Sequence, residues 1–233
     1  GFGVFEGTRC YKTIDGPAIF RLDEHLKRLY NSAQILTIEI PFSFDQMVEA
    51  SKEIISVNGY EECYLRHIAY IADGEMGLGT MTNPIRVSIA VWKWGAYLGD
   101  EGLKKGIRLK TSSYARLPVQ VFPAKAKAVG NYVNSILAKR EALKAGYDEA
   151  LMLDISGYVA EASGENIFLV FGNTLITPPE SSSILNGITR KSIIELAKDL
   201  GYLVKEEVFP RDTIYIADEV FLTGTAAEVT PER

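Results

Sequence analysis

Only two cysteines and two histidines occur among the 233 residues. Cys10 and Cys63 lie far apart and in no metal-ligand spacing, which argues against a disulfide framework and against a zinc site. With His25 and His67 as the sole imidazoles, a histidine-built metal centre is not expected either. Long apolar runs are missing: nothing approaches the roughly 18 residues of a membrane span, and no signal peptide is visible. The expected location is the cytoplasm, with no membrane partner. Repeats and low-complexity tracts are absent as well. A net charge of −5 gives no general attraction to nucleic acid or anionic lipid, so an anionic ligand has to be caught by local positive groups. What is present is ordinary for a soluble protein, with 47% hydrophobic and 24% charged residues. The length suffices for one large domain or two modest ones. The chain opens at Gly1 with a stretch, Phe2 to Gly7, that reads like the middle of an element. It stops at Arg233 soon after an apparent strand, so both ends are expected to be truncated.

The pattern along the chain mixes strands and helices without regular βαβ alternation. Asp15-Gly16 marks a hairpin between Thr8–Thr13 and Ala18–Leu22. Leu26, Leu29, Tyr30 and Ala33 form the apolar stripe of a helix. Ser43 with Gln46 three residues later is a capping box opening a second helix, which stops at Asn58-Gly59. Strands are expected at Tyr64–Ile71 and Val87–Trp94. The run Gly95 to Gly102 has the composition of a linker. Beyond it a strand near Ile107–Thr111, a helix from Asn131 to Lys144 and strands at Ala150–Leu153, Tyr158–Glu161, Ile167–Val170 and Leu175–Thr177 follow. A helix Thr189–Leu200 and strands Leu203–Val208 and Glu219–Thr223 complete the pattern. This predicts an α+β (mixed α/β) protein with a smaller domain over 1–96, a linker over 97–104 and a larger domain over 105–233.

Several residues could carry chemistry. Lys127 is followed by Gly130-Asn131-Tyr132, and Glu161 heads a run to Phe168, so an amine, a phenol and a carboxylate occur in order. Gly187-Ile188-Thr189-Arg190 opens a helix whose first turn holds cations against the dipole but suits a bound phosphate. Amine, phenol, carboxylate and phosphate seat are what pyridoxal phosphate asks of a protein. Each also has a plain reading. Arg190 and Lys191 could point into solvent, Arg28 could pair with Glu24 one turn away, and Glu161 could be a surface carboxylate. Tyr64 and Arg66 share one face of a strand; an arginine in so apolar a run either reaches an edge or awaits a carboxylate. Nothing local separates Lys125 from Lys127 as a nucleophile.

Taken together the residues resemble the class IV pyridoxal phosphate aminotransferases, and among them the branched-chain amino acid aminotransferases. The signature Glu161-x-Ser163-x-x-Asn166-Ile167-Phe168, Leu175-x-Thr177, Leu185-x-Gly187-Ile188-x-Arg190 fits without a gap. Phe5 to Arg9, Glu24-His25-x-x-Arg28-Leu29, Tyr64-x-Arg66, Trp94 to Tyr97 and Gly224 to Glu228 extend the match over essentially the whole chain. The resemblance implies the two-domain fold of that class and pyridoxal 5′-phosphate as cofactor. It makes Lys127 the catalytic lysine, Tyr132 the phenol at the ring oxygen and Glu161 the carboxylate at the pyridine nitrogen. Arg28, Leu185, Gly187, Ile188, Thr189 and Thr225 would complete the cofactor site. It further implies substrate contacts from Phe5, Tyr64, Arg66, Trp94, Tyr97 and Ala226, and a homodimer or higher oligomer in which Leu78 reaches the partner's site. The reaction implied passes nitrogen from leucine, isoleucine or valine to 2-oxoglutarate, so the expected partners are small amino acids and 2-oxo acids. Rivals on the same fold are a D-amino acid aminotransferase and a 4-amino-4-deoxychorismate lyase; a non-enzymatic binding module is the remote alternative.

Overall fold

A computed structural model describes residues 1–95 and 97–233. The chain divides into two compact units, one of Gly1–Trp94 with Ala126–Gly130 and one of Gly95–Lys125 with Asn131–Arg233. This differs from a single division near 97–104, because residues 126–130 join the first unit. Ala96, the expected end of the first domain, lies outside the described residues.

The first unit is a four-stranded antiparallel sheet, β1 (Gly3–Thr13), β2 (Gly16–Ile19), β3 (Cys63–Ile71) and β4 (Ile85–Trp92), in the order β2-β1-β3-β4. Helices α1 (Leu22–Ile35) and α2 (Phe44–Asn58) bring Leu22, Leu26, Leu29, Ala33 and Met47 to a core with Val4 and Ala69. The capping box is formed as expected, with Gln46 N donating to Ser43 Oγ at 3.2 Å and Ser43 N to Gln46 Oε1 at 2.8 Å. Strand alternation sorts the residues. Val4, Glu6 and Thr8 stand opposite Ala69, His67 and Leu65, while Phe5, Gly7 and Arg9 stand opposite Ile68, Arg66 and Tyr64. The first set shares the face of the helix-packed core residues Val4 and Ala69, so the second set looks the other way. Strand β2 covers β1 only from Cys10 to Thr13, and the bare edge further back bridges Val4 to Ala128.

In the second unit α3 (Gly99–Lys105) occupies what composition suggested was an open linker. Its last turn carries Lys104 and Lys105, favourable at a helix C-terminus, and Lys105 pairs with Glu101 at 2.8 Å. Strands β5 (Leu109–Thr111), β6 (Glu149–Leu153) and β7 (Val159–Ala162) form one sheet. The other sheet runs β10 (Leu203–Glu206), β9 (Thr174–Thr177), β8 (Asn166–Phe171), β11 (Glu219–Gly224) and β12 (Glu228–Pro231). Leu151, Val159 and Ala162 meet Ile167, Leu169 and Leu222 in one core that joins the sheets. Helix α4 (Tyr132–Lys144) sets Ala138 and Ala142 on Ala150 and Met152 of the smaller sheet. Helix α5 (Ile188–Asp199) sets Ile194 and Ala197 on Phe168 and Leu175 of the larger one. Because β8 is buried on both faces it reads as a continuous apolar run. The short β12 and a 3-10 turn at Arg211–Ile216 were not visible in the sequence pattern.

Candidate active site

The first unit gathers an amine, a guanidinium and aromatic rings on the sheet face turned away from its helices. Lys127 is placed through its backbone: Phe5 N donates to Lys127 O at 3.0 Å, and Lys127 N donates to Ser32 Oγ at 3.0 Å. Its Nζ then stands 4.9 Å from the centroid of the Phe5 ring, and the Arg66 guanidinium stands 4.8 Å from the same ring. Arg66 Nη2 donates to Tyr64 Oη at 3.3 Å, and Tyr64 meets Trp94 edge-on at 4.5 Å. The buried Nε of Arg66 has no hydrogen-bond acceptor among the described residues. A buried donor left unmet is costly, and a guanidinium N–H of this kind is able to bond a carboxylate. Gly7 is required here, since a Cβ on it would lie 1.7 Å from Tyr64 Oη.

Arg28 does not take the pairing with Glu24 that its spacing allows. Glu24 pairs with Arg21 at 3.5 Å instead, and Arg28 grips the fully buried Glu6 through Nε at 2.6 Å and Nη2 at 3.0 Å. His25 Nδ1 donates to the same carboxylate at 2.8 Å. Burial opposes the charge of Glu6, yet Arg28 and His25 hold its carboxyl well below the usual carboxylate range. Glu6 thereby fixes the plane of the guanidinium, whose five-donor fork is able to hold a second anion.

In the second unit Glu161, on β7, is 6% exposed, which rules out the surface reading. Arg116 Nη2 pairs with its Oε1 at 2.8 Å, and Asn166 Nδ2 and Leu185 N donate to its Oε2 at 3.1 Å each. A carboxylate met by a cation and two N–H donors is held in one orientation. Arg116 was not found from sequence, because it lies 45 positions away in an irregular stretch with no motif around it. Asn166 stood in the signature without a role; its Nδ2 also donates to Leu185 O at 3.0 Å.

Helix α5 begins behind Gly187 with no side-chain cap and no acidic residue in its first turn. Lys191 N is the first amide to reach back, to Gly187 O at 3.0 Å, so those of Ile188, Thr189 and Arg190 precede the helical ladder. A Cβ at Gly187 would meet Asn166 Oδ1 at 2.0 Å. The basic side chains expected to help at this helix start do not. Arg190 is buried and bonds Pro178 O and Glu206, and Lys191 pairs along the helix with Glu195 at 3.9 Å. What the helix start offers an anion is its uncapped backbone amides. Thr225 and Ala226 occupy the turn between β11 and β12, and Tyr132 opens α4. Tyr97 is partly exposed, with its ring 5.3 Å from Lys139 Nζ. Leu78 is fully exposed between β3 and β4.

The donor sets fit pyridoxal 5′-phosphate: a fixed buried carboxylate for a ring cation, uncapped amides for a phosphate, and a lysine amine beside an aromatic surface. Among the described residues no cluster of His, Cys, Asp and Glu would hold a metal ion, and no helix is long and apolar enough to cross a membrane.

Four residues beyond Glu161, Glu165 shares the interior with Glu149, whose Oε2 takes a bond from Lys139 Nζ at 2.5 Å. Burial first, and the Glu149 charge second, push the Glu165 carboxyl from 4.5 up to about 8. The folded protein therefore keeps a proton that the unfolded chain releases. Stability from this group is complete below pH 4.5 and is lost as the pH rises toward 8. Glu165→Gln, neutral at every pH, is expected to raise the melting temperature at about pH 8 by several degrees and to change it little at about pH 4.5. Thermal melts at the two pH values check this; an equal shift at both would contradict it.

Residues 3–233 match the family described as Amino-transferase class IV. The chain is 48% identical over 233 residues to the branched-chain-amino-acid aminotransferase of Pseudomonas aeruginosa, covering all of itself and 76% of that relative. Among solved structures, the Escherichia coli branched-chain amino acid aminotransferase superposes with a TM-score of 0.98 at 45% identity, covering 100% of this chain and 77% of that one. The T.th. branched-chain amino acid aminotransferase with pyridoxamine 5′-phosphate gives 0.95 at 56% identity, covering 99% and 76%.

Proposed function

The chain belongs to the class IV aminotransferases, and from that premise we propose that it moves the amino group of L-leucine, L-isoleucine or L-valine to 2-oxoglutarate, yielding a branched 2-oxo acid and L-glutamate. Names of relatives with 45–48% identity over the whole chain support this substrate class. A solved relative carrying pyridoxamine 5′-phosphate supports the cofactor. When bound, pyridoxal 5′-phosphate supplies a carbonyl that accepts the amino group and a ring that withdraws electrons.

The residues divide the remaining work. The Lys127 amine would hold the cofactor and, when free, would carry a proton to and from the substrate α-carbon. Glu161 holds the ring nitrogen protonated, and Tyr132 donates to the ring oxygen. The amides of Ile188 and Thr189 behind Gly187, with Leu185 beside them, Arg28 and Thr225 seat the phosphate. Phe5, Tyr64 and Trp94 line the aliphatic side chain, each ring excluding water over a large area. Arg66 takes the distal carboxylate of glutamate, and Tyr64 with the backbone near Ala226 takes the α-carboxylate. Leu78 serves the neighbouring subunit of a homodimer.

The observation that carries the reading is the pairing of Arg66 and Lys127 about the Phe5 ring. A guanidinium, an aromatic wall and an amine on one surface support a site that takes both leucine and glutamate. Glutamate formed from 2-oxoglutarate with L-leucine as donor is the test. Turnover of D-alanine without L-leucine would replace this reading by the D-amino acid enzyme.

A further inference from the structure

We propose that Lys125 is a positioning residue: it clamps the segment 180–186 so that Leu185 meets Glu161 and α5 starts in register. The proposal rests on the reading of Glu161 and the α5 amides as cofactor groups. Nothing local in the sequence separates Lys125 from Lys127, and an amine with a lowered pKa is the usual mark of a nucleophile. Burial does push the Lys125 amine down. Geometry gives it other work. An ammonium has three N–H donors, and Lys125 Nζ meets three acceptors: Glu180 O, Ile184 O at 3.2 Å and Asn186 Oδ1 at 2.7 Å.

Those acceptors lie in the irregular stretch between β9, which ends at Thr177, and α5, which starts at Ile188. The stretch makes few bonds with itself, such as Ser182 N to Pro179 O at 2.9 Å and Ile184 N to Ser182 O at 2.8 Å. Its order comes from outside. Arg116 Nε donates to Ser183 O at 3.3 Å, Asn166 Nδ2 donates to Leu185 O at 3.0 Å, and Lys125 takes the positions on either side. Leu185 sits in the middle of this clasp, its N–H on Glu161, and Gly187 follows two residues later. Losing Lys125 frees the carbonyls flanking Leu185 and so loosens the amide that fixes Glu161 and the turn that presents the α5 amides.

Lys125→Met keeps the apolar stem and removes all three donors. In the protein without cofactor, amide exchange of 178–187 is expected to speed up about 10-fold or more, with the β6–β7 region unchanged. The dissociation constant for pyridoxal 5′-phosphate, followed by tryptophan fluorescence, is expected to rise about 10-fold, and Lys125→Arg should recover most of both effects. Asn186→Ala removes a single acceptor and serves if the Met variant does not fold; an increase of about 3-fold in exchange is expected. Unchanged exchange would overturn the clamp. Faster exchange with unaltered cofactor affinity would overturn its positioning role. A parent protein that binds no cofactor would instead remove the reading of Glu161 and α5, while exchange still decides the clamp.

Discussion

Lys127→Ala is expected to lower amino transfer from L-leucine to 2-oxoglutarate by at least about 1000-fold while leaving the fold intact. A positioned acid–base group contributes about 10²–10⁴-fold by itself, and in the proposed reaction the same amine also bonds the cofactor. Folding should survive, because two tertiary bonds at this position run through the backbone, Phe5 N to Lys127 O and Lys127 N to Ser32 Oγ. Alanine keeps both. Steady-state rates beside a thermal melt check the result, since a large loss of activity with a matched loss of folded protein would point to structure instead. The neighbouring amine cannot stand in, as Lys125 is committed to the 180–186 segment.

Glu161→Gln is expected to cut kcat by about 100-fold or more, with a smaller change in KM. An amide cannot stabilise a proton on the ring nitrogen as an anion does; each pKa unit lost there is worth about 1.4 kcal/mol. The substitution also strands Arg116, 5% exposed, without its carboxylate. Breaking a buried pair on one side costs about 3–5 kcal/mol, so a lower melting temperature is part of the expected result. Comparing kcat per folded molecule with the melt separates the two contributions. A normal kcat in a merely less stable protein would confine Glu161 to a structural role.

The sequence made local devices visible and hid the long-range pairings. The capping box at Ser43, the two-residue spacing that puts Tyr64 and Arg66 on one face, and the β8 run with apolar burial on both sides all act within a few residues. Their signals are therefore local. Arg28 with Glu6 spans 22 positions and Glu161 with Arg116 spans 45, and no periodicity encodes such partners. Arg190 illustrates the same limit. A basic residue at a helix start suggests phosphate, yet the buried Arg190 guanidinium pairs with Glu206, 16 positions along the chain. Residues 126–130 joined the first unit for a topological reason, since β2 leaves half of the β1 edge open to them. The roles proposed for Lys127 and Glu161 come from a family signature; the physics of the isolated residues leaves them ambiguous. Composition misled at Gly95 to Gly102, where glycine content hid the start of α3.

The most direct check on the central assignment is peptide mass spectrometry of the protein after incubation with pyridoxal 5′-phosphate and reduction with borohydride. The phosphopyridoxyl mass increment is expected on Lys127 alone. Its appearance on Lys125, or on any other amine with Lys127 unmodified, would contradict the account.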